Sequence, residues 1–219
     1  MDYGTGSGCN GSYFENEGKD LLNLGGLPSE KDYPYVAYNQ SQQSYSGQLY
    51  GKIVSYKVIT NSPKSIMGAI AAGYPVSVTI GANWAFQSYQ SGIYNACSHT
   101  STNHEVLLEG WDCESSVDAN GNCAFDANGN LPGGVGTWVL VNSWGESWGE
   151  KGKMRIKITD EDGSLCNNVA DEAGILETGI PMPQPKPVLP ALPLWGWVGI
   201  AAFLLGSLGI GIEVLKKKA

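Results

Sequence analysis

Two short stretches of this sequence carry side chains that can do chemistry together. One is Asn103-His104-Glu105-Val106. The other is Asn142-Ser143-Trp144-Gly145-Glu146-Ser147-Trp148-Gly149-Glu150, and 38 positions separate His104 from Asn142. The histidine opens one apolar run and the asparagine closes the next, so neighbouring antiparallel strands bring the two side by side. A carboxamide against an imidazole orients the ring, which makes two thirds of a Cys-His-Asn nucleophilic set. Neither stretch contains the attacking sulfur. The chain has five cysteines, Cys9, Cys97, Cys113, Cys123 and Cys166, none in Cys-x-x-Cys spacing, so no zinc site is expected. Disulfides in an oxidising compartment are the better reading, and Cys9, far from the others, is the candidate for the odd sulfur.

The elements that must position His104 and Asn142 are legible in outline. The polar, turn-rich first 51 residues allow one short helix from Tyr13 to Leu24, stopped by Gly25-Gly26. Residues 52–60 alternate as a strand. Ser62 and Pro63 open a helix as N-cap and first helical residue, and Gly73 closes it. Further strands are expected at Pro75–Ile80, around Ile93-Tyr94, and at His104–Trp111, Thr137–Asn142 and Lys153–Ile158.

The loop between the histidine strand and the asparagine strand holds a tandem repeat, Asp118-Ala-Asn-Gly-Asn122 and Asp126-Ala-Asn-Gly-Asn130. Cys113 and Cys123 flank the first copy and can staple it. The pattern is similar to part of a calcium loop but lacks the closing glutamate, where Gly129 sits; Asn-Gly turns account for the same residues. No metal or other cofactor is expected.

The chain carries 21 acidic and 13 basic side chains. Four of the lysines, Lys186 and Lys216 to Lys218, lie near the C-terminus, so the part before it is more acidic still. It has no basic stripe, which excludes nucleic acid as an expected partner. The 30 glycines, with many Ser, Asn and Tyr, point to a loop-rich fold dominated by strands. Residues 1–180 read as one domain, 181–193 as a stiff proline-rich linker, and 194–215 as a single membrane-spanning helix with a basic end at 216–219. Trp195 and Trp197 anchor one end of that helix and the lysines the other, which puts the globular domain on the extracellular or luminal side. The tail also looks like the sorting tails of some bacterial surface proteins. Met1-Asp2-Tyr3-Gly4 is no signal peptide, so an extracellular protein is expected to begin upstream of it.

Residues 7 to 176 resemble the papain/cathepsin family of cysteine peptidases, over the C-terminal part of their catalytic domain. The resemblance rests on Gly8-Cys9-Asn10-Gly11-Ser12, Tyr33-Pro34-Tyr35, Ser91-Gly92-Ile93-Tyr94, Asn103-His104-Glu105-Val106-Leu107, and Asn142 through Glu150, in the family's order. It implies an α+β fold, with a second lobe of twisted antiparallel sheet or half-barrel and a partial helical first lobe. It implies peptide-bond hydrolysis on peptide or protein substrates, with His104 as general acid/base, Asn142 holding the His104 ring and Trp144 covering their bond. Gly11 and Ser12 are implied to lie along the substrate, with Ser12 narrowing the cleft. Asp171 is implied to sit at the base of the main specificity pocket and to favour a basic side chain. Cys97 is implied to pair with Cys166, and Cys9 with a partner upstream. The family's nucleophile lies about 130–150 residues before its histidine and asparagine. It is therefore expected on the order of 30 residues upstream of Met1, and this chain by itself is expected to be inactive. The Cys113–Cys123 loop is expected as an insertion near the His-Asn end of the cleft, and Glu105 is expected to face inward or across the sheet. The alternative is a catalytically inactive papain-like binding or adhesion module at the cell surface.

Overall fold

The computed structural model describes residues 11–36, 38, 44–114, 116–119 and 122–178. The chain divides into two units, 1–184 and 185–219, and every described residue lies in the first. The expected proline-rich linker and membrane-spanning helix lie outside the described residues. Among the described residues no helix is long and apolar enough to cross a membrane.

The fold is α+β. Helix α1 spans Phe14–Leu24, strand β1 Ser55–Val58, α2 Pro63–Ala71, β2 Val76–Ile80, α3 Trp84–Gln87, β3 Ile93–Tyr94, β4 His104–Asp112, β5 Thr137–Val141, β6 Lys153–Lys157 and β7 Ala173–Glu177. The seven strands form one sheet in the order β1-β7-β2-β4-β5-β6-β3. All pairings are antiparallel except β3 with β6, which is parallel. The expected antiparallel sheet is therefore mixed at this edge. Alternation of side chains fixes which residues face the core, not the direction in which a two-residue edge strand runs.

The helices begin and end where their residue chemistry dictates. Ser62 Oγ accepts the Ser65 N–H at the start of α2, and Pro63 occupies the first helical position, where no N–H is needed. Glu15 and Glu17 stand in the first turn of α1, at the positive end of its dipole. Gly25 closes that helix in the left-handed conformation, donating its N–H to Leu21 O.

One face of the sheet carries the core. Val76, Val78 and Ile80 of β2 meet Val106 and Leu108 of β4, Trp138 and Leu140 of β5, and Met154 and Ile156 of β6. Ile66, Met67 and Ile70 of α2 complete it. The other face is only partly covered. Phe14 of α1 lies over Gly174, where an added Cβ would stand 2.1 Å from its ring, and meets Tyr56 edge-on. Beyond α1 the same face leaves Val58 56% exposed and Leu107 and Leu176 each 36% exposed.

Candidate active site

His104 is the first residue of β4, and Asn142 immediately follows the last residue of β5. Because β4 and β5 pair antiparallel, the strand ends coincide and His104 Nε2 lies 2.9 Å from Asn142 Oδ1. Asn142 is buried. Its Oδ1 also accepts the Ser143 backbone N–H at 2.8 Å. A backbone N–H can only donate, so this amide cannot be turned round. With Oδ1 facing the ring, His104 Nε2 must carry the proton of the shared bond. The Nδ1 atom of neutral His104 is then the basic nitrogen.

An aromatic stack seals this bond. The Trp144 ring lies over His104 with centroids 4.9 Å apart and planes 26° from parallel. Phe86 of α3 meets Trp144 edge-on at 5.7 Å, and Trp148 packs against both. Trp148 Nε1 donates to Gln87 O, tying the tryptophan turn to α3. Glu150 ends that turn. Its carboxylate accepts from Gly92 N–H and from Nε and Nη2 of Arg155. The Arg155 bonds first, and the Gly92 bond second, hold its carboxyl down from 4.5 to about 2. Gly149 has φ +55, and a Cβ there would stand 2.5 Å from Lys153 O; only glycine passes that point.

Asn103, quoted in the sequence only as part of a motif, has a structural task. Its Oδ1 accepts the Ala82 N–H at 2.8 Å and its Nδ2 donates to Ala82 O, so the residue before His104 clamps the segment leading into α3. The signal available was its place beside the histidine at a strand start, where an amide can satisfy both groups of one neighbouring peptide.

The other expected site residues are not all gathered here. Gly11 and Ser12 are exposed at the foot of α1, Gly11 with φ +83. Asp171 is exposed and donates its N–H to Asn168 O. Glu105 is exposed too; of its two expected placements it is not turned inward but reaches across the sheet, accepting from Ser77 Oγ of β2. The correction follows from the period of two: His104 pairs with Ile80 on the core side, so its neighbour must take the open face. Glu172 is pushed above its ordinary carboxyl range, first by burial and then by the charges of Glu105, Glu15 and Asp171. His99, the other histidine of the chain, is half exposed and its Nε2 lies 2.8 Å from Asp160 Oδ2.

The cysteines divide as expected in the described region. Cys97 pairs with Cys166, and Cys113 with Cys123. Cys9 lies outside the described residues. The Cys113–Cys123 loop stands elsewhere than expected. It joins the end of β4 to the start of β5, where Asp112 pairs with Thr137. His104 is at the opposite end of the nine-residue β4, on the order of 25 Å away at strand rise. The loop braces α2 and the segment after β6 instead: Lys64 N–H donates to Gly129 O, and Thr159 Oγ1 to Pro132 O. Asp126 Oδ1 accepts the N–H groups of Asn128 and Asn130, the turn chemistry that competes with the calcium reading. Among the described residues no group of three or more His, Cys, Asp or Glu is placed to hold a metal.

Comparison with known proteins agrees with this geometry. The model of the papain family cysteine proteases matches residues 2–173, and the chain belongs to that family. It is 29% identical over 170 residues to the viral cathepsin of Choristoneura fumiferana nuclear polyhedrosis virus, covering 77% of this chain and 47% of that protein. It is 33% identical over 157 residues to putative cathepsin L 3 of Paramecium tetraurelia, covering 71% of this chain and 42% of that one. Among solved structures it is similar to the bromelain protease of Ananas comosus in complex with the E64 inhibitor. There the TM-score is 0.64 and the identity 27%, over 81% of this chain and 74% of that one. The chain spans less than half the length of the curated relatives it matches.

Proposed function

We propose that these residues form the histidine-asparagine half of a cysteine-type endopeptidase, whose thiolate comes from residues outside the 219. The observation that carries this reading is the His104–Asn142 bond beneath Trp144. With Nε2–H committed to Asn142, Nδ1 of His104 takes the thiol proton and forms an ion pair with the thiolate. The sulfur attacks the peptide carbonyl carbon. As the C–N bond breaks, Nδ1–H gives its proton to the leaving amine. His104 then accepts a proton from the water that cleaves the thioester, which regenerates the thiol.

Two observations support a thiol from elsewhere. All four cysteines in the described region are in disulfides. The sheet face bearing Leu107, Leu176 and Val58 is open beside α1, which already packs there, and further helical residues would cover it. The same cysteine inventory favours one rival reading, a papain-like surface module that binds and does not cleave. In either reading the uncharged run Leu194–Ile212, with Trp195 and Trp197 at one end and Lys216 to Lys218 at the other, tethers the domain to the outer face of a membrane.

Asp171 gives the substrate class. Its charge, with Glu105 and Glu172 nearby, favours a basic side chain at the second residue before the cut. The test is hydrolysis by the natural polypeptide that contains these residues, on peptides with Arg or Leu at that position. Turnover that vanishes in His104→Ala and prefers Arg is expected. Equal use of Arg and Leu would reject the Asp171 assignment, and turnover untouched by His104→Ala would reject the peptidase reading.

A further inference from the structure

Asn167 is fully buried, and its backbone is left-handed, at φ +51. Both ends of its side chain bond to main chain. Its Oδ1 accepts the Ser98 N–H at 2.9 Å, and its Nδ2 donates to Gly81 O at 2.8 Å. Its own carbonyl accepts the Gly81 N–H at 2.8 Å. An N–H only donates and a carbonyl only accepts, so this amide has one orientation. A buried amide satisfied in this way fixes its neighbours, because any other arrangement leaves polar groups unpaired.

The two segments it joins are the two that flank His104. Ser98 opens residues 98–103, which lead straight into His104 at the start of β4. Gly81 follows Ile80, the residue of β2 that pairs with His104, and precedes Ala82, which Asn103 clamps. The approach is close: a Cβ on Gly81 would stand 2.8 Å from Thr100 O. The Cys97–Cys166 bridge joins the residues just before Ser98 and Asn167 but makes no link to Gly81; Asn167 adds it. We propose that Asn167 is a positioning residue for His104: one buried amide sets residues 81–82 and 98–103 against each other and so holds the ring where both Asn142 and a thiol can reach it. This rests on the peptidase reading above. Fully buried, Asn167 can touch no substrate, and it acts through these two segments.

Two variants of the natural polypeptide separate positioning from plain stability. Asn167→Gly tolerates the left-handed backbone and keeps the carbonyl bond to Gly81, but removes both side-chain bonds. Because misplacing a catalytic group by about 1 Å costs on the order of 100-fold, kcat per folded molecule is expected to fall about 100-fold, with KM within about twofold. The folded fraction is read by circular dichroism. Asn167→Asp keeps the shape. Protonated, its O–H donates to Gly81 O and its other oxygen accepts from Ser98, as the amide does. Ionised, it has no donor and sets an anionic oxygen against the Gly81 carbonyl. Around it stand main-chain groups and the Tyr94 hydroxyl, which burial raises above its ordinary value. His99, one residue beyond Ser98, and its partner Asp160 are common to variant and parent. The ratio of variant to parent kcat is therefore expected near one at about pH 4.5 and about tenfold lower by about pH 8. A ratio flat with pH, whether near one or low, overturns the proposal, and so does a parental kcat in Asn167→Gly or a loss carried by KM. If Asn167→Gly does not fold, the Asn167→Asp profile decides alone. A further measurement needs no catalysis. The His104 Nε2–H signal, followed by NMR, is expected to exchange faster with water in Asn167→Gly, and an unchanged rate overturns the proposal. Absence of turnover by the parent would count against the peptidase reading and leave this signal to decide.

Discussion

Replacing Glu150 by Gln tests whether the turn under the active site is held by charge. Glu150 accepts three hydrogen bonds, from Gly92 N–H at 3.0 Å and from Arg155 Nε and Nη2 at 3.0 and 2.6 Å. Its carboxyl stands at about 2 instead of 4.5, with the Arg155 guanidinium the largest cause. A depression of that size corresponds to roughly 3 kcal/mol in favour of the folded, charged form. Arg155 and Glu150 are 46% and 28% exposed at the side chain, so water screens part of it. About 1–2 kcal/mol remains after that screening. Gln keeps an acceptor for Gly92 N–H but loses the charge and, because its Nε2 only donates, the bond from Arg155 Nε. Because the folded value is depressed, the stabilisation is complete above the unfolded Glu value of about 4.3 and is lost as pH falls toward 2. Urea unfolding of both proteins is therefore expected to separate them by about 1–2 kcal/mol at neutral pH and to bring them together near pH 2. A variant as stable as the parent at neutral pH, or a gap that persists undiminished in acid, would refute the reasoning.

Asn142→Ala in the natural polypeptide is expected to lower kcat on the order of 100-fold with little change in KM, read by steady-state kinetics, because it frees the His104 ring without touching the substrate. Gly174→Ala drives a methyl into the Phe14 ring, and thermal unfolding is expected to show a loss of about 2–3 kcal/mol as α1 is pushed off the sheet. Removing the Cys97–Cys166 bridge, which closes 69 residues, is expected to cost about 4 kcal/mol by denaturant titration. Removing Cys113–Cys123, which closes 10, is expected to cost about 2–3 kcal/mol and to leave peptide hydrolysis unchanged, since that loop is at the far end of β4.

Much of this was legible before any coordinates. The Ser62-Pro63 cap, the Gly25 stop and the alternation in β2, β4, β5 and β6 are local signals that the tertiary structure respects. Strand β7 gave no such signal. Ala173-Gly174-Ile175 does not alternate, because Gly174 leaves room for Phe14 on one face while Ala173 and Ile175 fill the other. Helix α3 is a single turn, too short for periodicity, and is set by Phe86 under the tryptophans. The pairing of His104 with Asn142 could be anticipated because strand order alone brings the two ends together. The place of the Cys113–Cys123 loop was legible by the same strand order, since a chain that enters β4 at His104 leaves it at the opposite end, beside Cys113. The second contacts of the site, Asn103 on Ala82 and Glu150 on Arg155 and Gly92, join segments distant in the chain.

The most direct measurement is alkylation at about pH 5 of the natural polypeptide with iodoacetamide, followed by peptide mapping. A thiolate paired with imidazolium reacts there, and an ordinary thiol near 8.5 does not. The account predicts one fast-labelled cysteine, none of Cys9, Cys97, Cys113, Cys123 or Cys166, whose labelling slows sharply in His104→Ala. Label on Cys9, or a rate indifferent to His104, would contradict it.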